Sequence, residues 1–172
     1  MTTIYSLLES PLGPLLLTSD GSALTGVFMG DHKHGPEIGE GWVRDENAAP
    51  FVKAKHQLTA YFNGTLTAFD LPLSADGTEF QRRVWHALCE IGYAETLSYG
   101  ELARRIGSPN ASRAVGLANG RNPISIIVPC HRVIGANGKL TGYGGGIDRK
   151  AALLDFEQAV RANGPHPLQT KQ

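Results

Sequence analysis

The residues best suited to chemistry stand together in the stretch Pro129-Cys130-His131-Arg132-Val133. A thiol next to an imidazole is the raw material of nucleophilic catalysis. A free thiol, with a pKa of about 8.5, is mostly protonated at neutral pH and needs a neighbouring base to become a strong nucleophile. Pro129 fixes the backbone just before Cys130 and removes one amide donor. Upstream, Ile126-Ile127-Val128 is an apolar run suited to deliver the motif from a buried segment. Downstream, residues 135–146 hold six glycines in twelve positions, with Tyr143 among them. A loop with so little side-chain bulk can fold closely over a flat ligand. Only two cysteines occur, Cys89 and Cys130, too few for a disulfide framework or a cysteine-rich zinc site. Cys89 borders an apolar helical stripe and is expected to be structural. A cysteine hydrolase would draw its histidine from a distant segment, and no separate base stands out.

Several elements must position this motif. Ile4-Tyr5-Ser6-Leu7-Leu8, residues 15–19 and residues 24–29 read as strands, with Asp20-Gly21 as a hairpin signal. The polar, Gly-rich stretch 30–47 reads as a mobile loop. Residues 48–63 show helical spacing, with Phe51, Leu58 and Phe62 on one side and Asn63-Gly64 as the stop. Proline and glycine cluster over 71–77, which marks a boundary. A second helix is expected from Thr78, its cap, to about Ile91. Ser98 with Glu101 forms a capping box opening a helix to Ile106, and a second short helix covers 111–119 after the turn Gly107-Ser108-Pro109-Asn110. That pair is a helix-turn-helix signature. Its second helix is built of small residues around Arg113, which suits close approach to a neighbouring helix or to a nucleic-acid groove. The final helix is expected to carry an apolar stripe of Ile147, Ala151 and Leu154, with Leu153, Phe156 and Val160 beside it. Glu157 lies on the core side of that stripe or at its edge; buried, it would need a partner.

Net charge is zero, but its distribution is uneven. Residues 1–79 carry four Lys/Arg against ten Asp/Glu, and residues 80–150 carry ten against four. A basic second half favours a polyanion, although exposed arginines are also an ordinary solvated surface. No apolar run approaches the roughly 18 residues of a membrane span, and the N-terminus lacks a signal-peptide pattern, so a cytoplasmic protein is expected.

The motif block resembles the active-site signature of the O6-alkylguanine-DNA alkyltransferases, or methylated-DNA–protein-cysteine methyltransferases. Ser98-Tyr99-Gly100-Glu101-Leu102-Ala103, Arg113-Ala114-Val115-Gly116, Asn122-Pro123 and Gly142-Tyr143-Gly144-Gly145-Gly146 stand in that family's order and spacing, as does the final helix to Glu157. The resemblance is strong over 78–160 and loose before it. It implies an α/β (α+β) fold: a ribonuclease H-like three-stranded antiparallel sheet with a helix over 1–77. A mostly helical, winged helix-turn-helix-like domain carrying the site follows over 78–162, then a flexible tail over 163–172. It implies irreversible, single-turnover transfer of an alkyl group from O6-alkylguanine, and from O4-alkylthymine, in double-stranded DNA to Cys130. Glu157 would orient His131, which acts through a water on Cys130, and Asn122 would brace the network. Tyr99 would offer its hydroxyl to the base, and backbone donors near Gly144 and Gly145 would face O6. Tyr143 would close over the base, while the carbonyls of Cys130 and Val133 accept from its exocyclic amine. Arg113 would fill the gap left by the flipped base, with Ala114 on the smooth helix face beside it. Lys150 matches a lysine near the site, and Asn119 occupies a substrate-side position that is often apolar. No cofactor and no metal are implied, since the N-terminal cysteines that bind zinc in some relatives are absent; His32 and His34 are expected to be solvated. The protein is expected to be a monomer, with cooperative binding on DNA left open, and to have no membrane partner. A non-catalytic lesion-binding relative would lack the cysteine, and a helix-turn-helix regulator would leave Cys130 and Glu157 idle.

Overall fold

The computed structural model describes residues 2–30 and 36–169. Short apolar runs and tight turns build the first sheet. β1 (Ile4–Leu8), β2 (Leu15–Ser19) and β3 (Leu24–Met29) run antiparallel. Gly13, at φ +97°, closes the first turn. Asp20 Oδ1 closes the second by accepting the amides of Ser22 and Ala23 at 2.8 and 3.0 Å. A fourth strand, β4 (Val43–Arg44), pairs parallel with β1, giving the order β3-β2-β1-β4. It lies inside the stretch expected to be loop; two residues are too few to show a period. His32 and His34 lie outside the described residues. α1 (Ala49–Phe62) packs on the sheet with Phe51, Leu58 and Phe62 buried, as their spacing predicts.

The free edge of β3 is covered by two later segments. Leu24 N–H donates to Pro72 O at 3.0 Å, and Val27 N–H donates to Pro123 O at 2.9 Å. Ser125 N–H then returns to Val27 O at 3.2 Å. These bonds satisfy an edge that would otherwise stay open. They also hook the chain leading to Cys130 onto the first sheet.

α2 (Glu79–Leu88) starts at a Thr78/Gln81 capping box. It ends at Leu88, short of Ile91, because i+3 bonds at Cys89, Glu90 and Ile91 tighten the chain into a turn. Cys89, expected beside the stripe as a structural residue, is exposed. β5 (Leu97–Ser98) leads into α3 (Tyr99–Arg105), opened by the Ser98/Glu101 capping box. Gly107, at φ +78°, turns the chain toward α4 (Ser112–Gly120). Trp85 Nε1 ties α2 to α4 by donating to Ala118 O at 2.8 Å. Cys130–Arg132 forms a 3-10 turn, and β6 (Val133–Ile134) pairs parallel with β5.

α5 (Ile147–Asn163) departs from its expected stripe. Its buried face is Lys150, Leu153, Phe156, Glu157 and Val160, whereas Ile147 is 43% exposed. Two polar residues hold core positions, so an apolar count alone turns the helix the wrong way. The segment expected as a free tail is docked in part. Leu168 N–H donates to Phe62 O at 2.8 Å, and the His166 ring packs edge-on against Phe156. Among the described residues no helix is long and apolar enough to cross a membrane.

Candidate active site

Cys130 opens the 3-10 turn and is 3% exposed. The approach to it is a knot of tight turns instead of a strand. Ile126 sits at φ +75°, a left-handed conformation that a β-branched residue adopts at a cost of about 1–3 kcal/mol. Asn122 holds the knot: its Nδ2 donates to Val128 O at 2.9 Å and its Oδ1 accepts from Ile124 N–H at 3.0 Å. Burial pushes the Cys130 thiol up to about 11, against the opposing pull of an Asn122 hydrogen bond and the Lys150 charge. The resting group is a protonated thiol.

Glu157 is fully buried, and a carboxylate there is tolerable only if its oxygens are engaged. They are. His131 Nε2 lies 2.7 Å from Oε2, and Tyr61 donates its hydroxyl to Oε2 at 2.6 Å. Arg132 straddles the group, Nε to Oε1 at 2.9 Å and Nη2 to Oε2 at 3.1 Å, and Ala94 N–H reaches Oε1 at 3.1 Å. Burial alone would raise the carboxyl, yet the hydrogen bonds and charges of His131 and Arg132 hold it well below the usual range. An ionised carboxylate only accepts, so His131 must carry its proton on Nε2. Its Nδ1 is then a lone pair, buried and without a hydrogen-bond partner among the described residues. Burial, with Arg132 and Lys150, outweighs Glu157 and lowers the imidazole pKa, keeping the ring neutral.

The other expected residues divide between this centre and its rim. Lys150 is buried, and its Nζ donates to Thr141 O at 2.7 Å and to Val133 O, joining β6 to the glycine loop. Burial brings it down to about 8. Tyr99 donates its hydroxyl to Thr141 O at 2.8 Å, with Lys150 Nζ 5.8 Å from the centre of its ring. Asn119 lies on the inner face of α4. It is buried, with Nδ2 3.3 Å from Cys130 O, so it holds the cysteine backbone. The Cys130 carbonyl also accepts from Val133 N–H. Tyr143 is buried, Gly144 is half-buried, and Gly145 is pressed so closely on the first domain that a Cβ would lie 2.6 Å from Met29 Sδ. Arg113 and Ala114 are exposed on the outer face of α4.

Sequence reasoning missed three parts of this centre. Arg132 lay within the motif without a role, and Tyr61 gave only an apolar signal on α1. Ala94, at φ +61°, offers an amide whose aim no side-chain pattern encodes.

Fold and site together define a protein with a helix-turn-helix and a buried free thiol, next in sequence to a histidine paired with a buried carboxylate. Residues 79–159 match the DNA binding domain of 6-O-methylguanine DNA methyltransferase, and residues 3–75 match its ribonuclease-like domain. The chain belongs to the 6-O-methylguanine DNA methyltransferase family. It is 57% identical over 155 residues to the methylated-DNA–protein-cysteine methyltransferase of Mycobacterium tuberculosis, spanning 90% of this chain and 92% of that protein. The Methanosarcina acetivorans protein of the same name is 57% identical over 153 residues, spanning 89% and 97%. Mycobacterium tuberculosis OGT, crystallised in complex with DNA, superposes with a TM-score of 0.86 over 91% of this chain and 93% of that one.

Proposed function

We propose that this protein repairs DNA by moving the alkyl group of O6-alkylguanine, and of O4-alkylthymine, onto its own Cys130, once per molecule. The observation that carries this reading is the buried pairing of His131 Nε2 with Glu157 at 2.7 Å, next in sequence to a lone buried thiol. With its thiol at about 11, Cys130 lies some four units above neutral pH, about 5 kcal/mol against ionisation at rest. That guards the sulfur from stray electrophiles. Ionisation belongs to the reaction itself: the thiol proton passes through a water to Nδ1 of His131, and Glu157 stabilises the imidazolium.

An alkylated guanine in the stack hides O6, so the nucleotide must rotate out. α4 enters the minor groove with Ala114 on its smooth face, and Arg113 fills the space left behind. The base enters beneath the glycine loop and displaces Tyr143, which then closes over it. Tyr99 turns its hydroxyl from Thr141 to the purine, and amides near Gly144 and Gly145 face O6. The carbonyls of Cys130 and Val133 take the exocyclic amine, with Asn119 and Lys150 holding those two strands of backbone in place. The sulfur–carbon bond forms as the carbon–O6 bond breaks. The electron pair stays on the guanine, which gains one proton for the one the sulfur lost. This exchange balances without a cofactor. Nothing in it regenerates the thiol from the thioether, so each molecule acts once.

Intact-mass measurement after incubation with an O6-methylguanine duplex tests the reading. The expected result is one methyl per protein, on Cys130, absent in Cys130→Ala. Tight binding with no mass gain would instead make this a lesion-binding protein and sink the proposal.

A further inference from the structure

Beside Arg113 and Ala114, the outer face of α4 presents two residues that the reaction above leaves unused, Leu117 and Arg121. Arg113, Ala114, Leu117 and Arg121 are exposed, while Val115, Ala118 and Asn119 fill the inner face. Arg113 and Leu117 stand four residues apart on α4, about 6 Å along its axis, and Arg121 follows four residues later at the helix C-cap. Leu117 is 68% exposed, more than any other large apolar side chain among the described residues. A single exposed leucine would need no explanation. This one stands between two guanidiniums that have no carboxylate partner among the described residues, on a helix without an acidic residue. With Ile147 it lines a groove of about 380 Å³ that Tyr143 also borders.

We infer that Arg113, Leu117 and Arg121 form one ridge that seats in the DNA minor groove, Leu117 as an apolar wedge against a base step and Arg121 as a phosphate contact. The inference rests on the repair reading above and extends it to two residues. Minor-groove proteins press leucine or isoleucine against base steps, unstack them partly and bend the duplex. An apolar side chain flanked by cations fits that surface: sugars and base edges cover the leucine, and phosphates on either side meet the arginines. Loosening a step near Arg113 also lowers the cost of extruding the neighbouring nucleotide.

Binding to an undamaged duplex, measured across a range of salt concentrations, tests the ridge independently of alkyl transfer. Leu117→Ala puts a good helix former at an exposed position, so the fold is retained. It is expected to weaken binding about tenfold without altering the slope of log affinity against log salt, because no charge is lost. Arg121→Ala is expected to make that slope shallower by about 0.9. A fluorescent base analogue placed in that duplex should report less unstacking with Leu117→Ala than with the unaltered protein, and equal unstacking would overturn the wedge. Binding by Leu117→Ala within twofold of the unaltered protein would overturn the wedge. An unchanged slope for Arg121→Ala would overturn the phosphate contact. Failure of the repair reading registers elsewhere, as absence of methyl gain on Cys130 of the unaltered protein.

Discussion

At the scale of single residues, the site is a problem of keeping one buried charge satisfied. Glu157 is fully buried, and every group around it donates: His131, Arg132, Tyr61 and the Ala94 amide. Cys130, His131 and Glu157 were legible in the sequence because the motif is contiguous and the final helix ends the family pattern. Tyr61 was not, since it lies 96 positions from its partner and reads as one more core aromatic. Tyr61→Phe keeps the ring packing and removes only the hydroxyl. A hydrogen bond to a charged group contributes about 1.5–3 kcal/mol, so unfolding in urea should show a loss of about 2 kcal/mol. Alkylation of Cys130 should slow with it. Unaltered stability would mean that Glu157 does not depend on this donor.

At the scale of elements, the glycine loop and the turns before Cys130 do the positioning. Capping boxes at Thr78 and Ser98, and the short connection between α3 and α4, were readable because each is a local hydrogen-bond pattern. The apolar run 126–128 was readable as buried, but not as a knot with Ile126 in the left-handed region, since nothing local favours that conformation. Gly145 shows what the first sheet asks of the loop. An added methyl group would lie 2.6 Å from Met29 Sδ and 2.9 Å from Tyr143 Cε2. Gly145→Ala should therefore displace Tyr143 and slow single-turnover alkylation by roughly tenfold, about 1.4 kcal/mol in barrier. Met29→Ala in the same chain should recover part of that loss. Equal rates for Gly145→Ala and the unaltered protein would show that the contact does not shape the loop.

At the scale of the whole molecule, the two domains share one site. β3 lends its edge to Pro123 and Ser125, and α1 lends Tyr61 to Glu157. Acid should act on this shared centre. The His131 pKa is lowered in the folded protein, so the unfolded chain takes up that proton first as pH falls below about 6.5. Glu157 is also held below its ordinary value, so its stabilisation is present above about 4.5 and fades as pH falls toward the folded value. Both signs agree. The melting temperature should fall by several degrees between pH 7 and pH 4, measured by circular dichroism. A flat profile for the unaltered protein would contradict the paired His131–Glu157 centre.

The chain by itself determined the chemistry on offer, the helix starts, three of the four strands of the first sheet and the division into an acidic and a basic half. Those features depend on neighbours within a turn or two, or on composition. Tertiary structure alone decided which face of α5 is buried, that Asn119 holds the Cys130 backbone, and that Tyr61 and Ala94 complete the shell of Glu157. A buried polar group takes whichever donor the packing brings within reach, and no spacing along the chain records that choice.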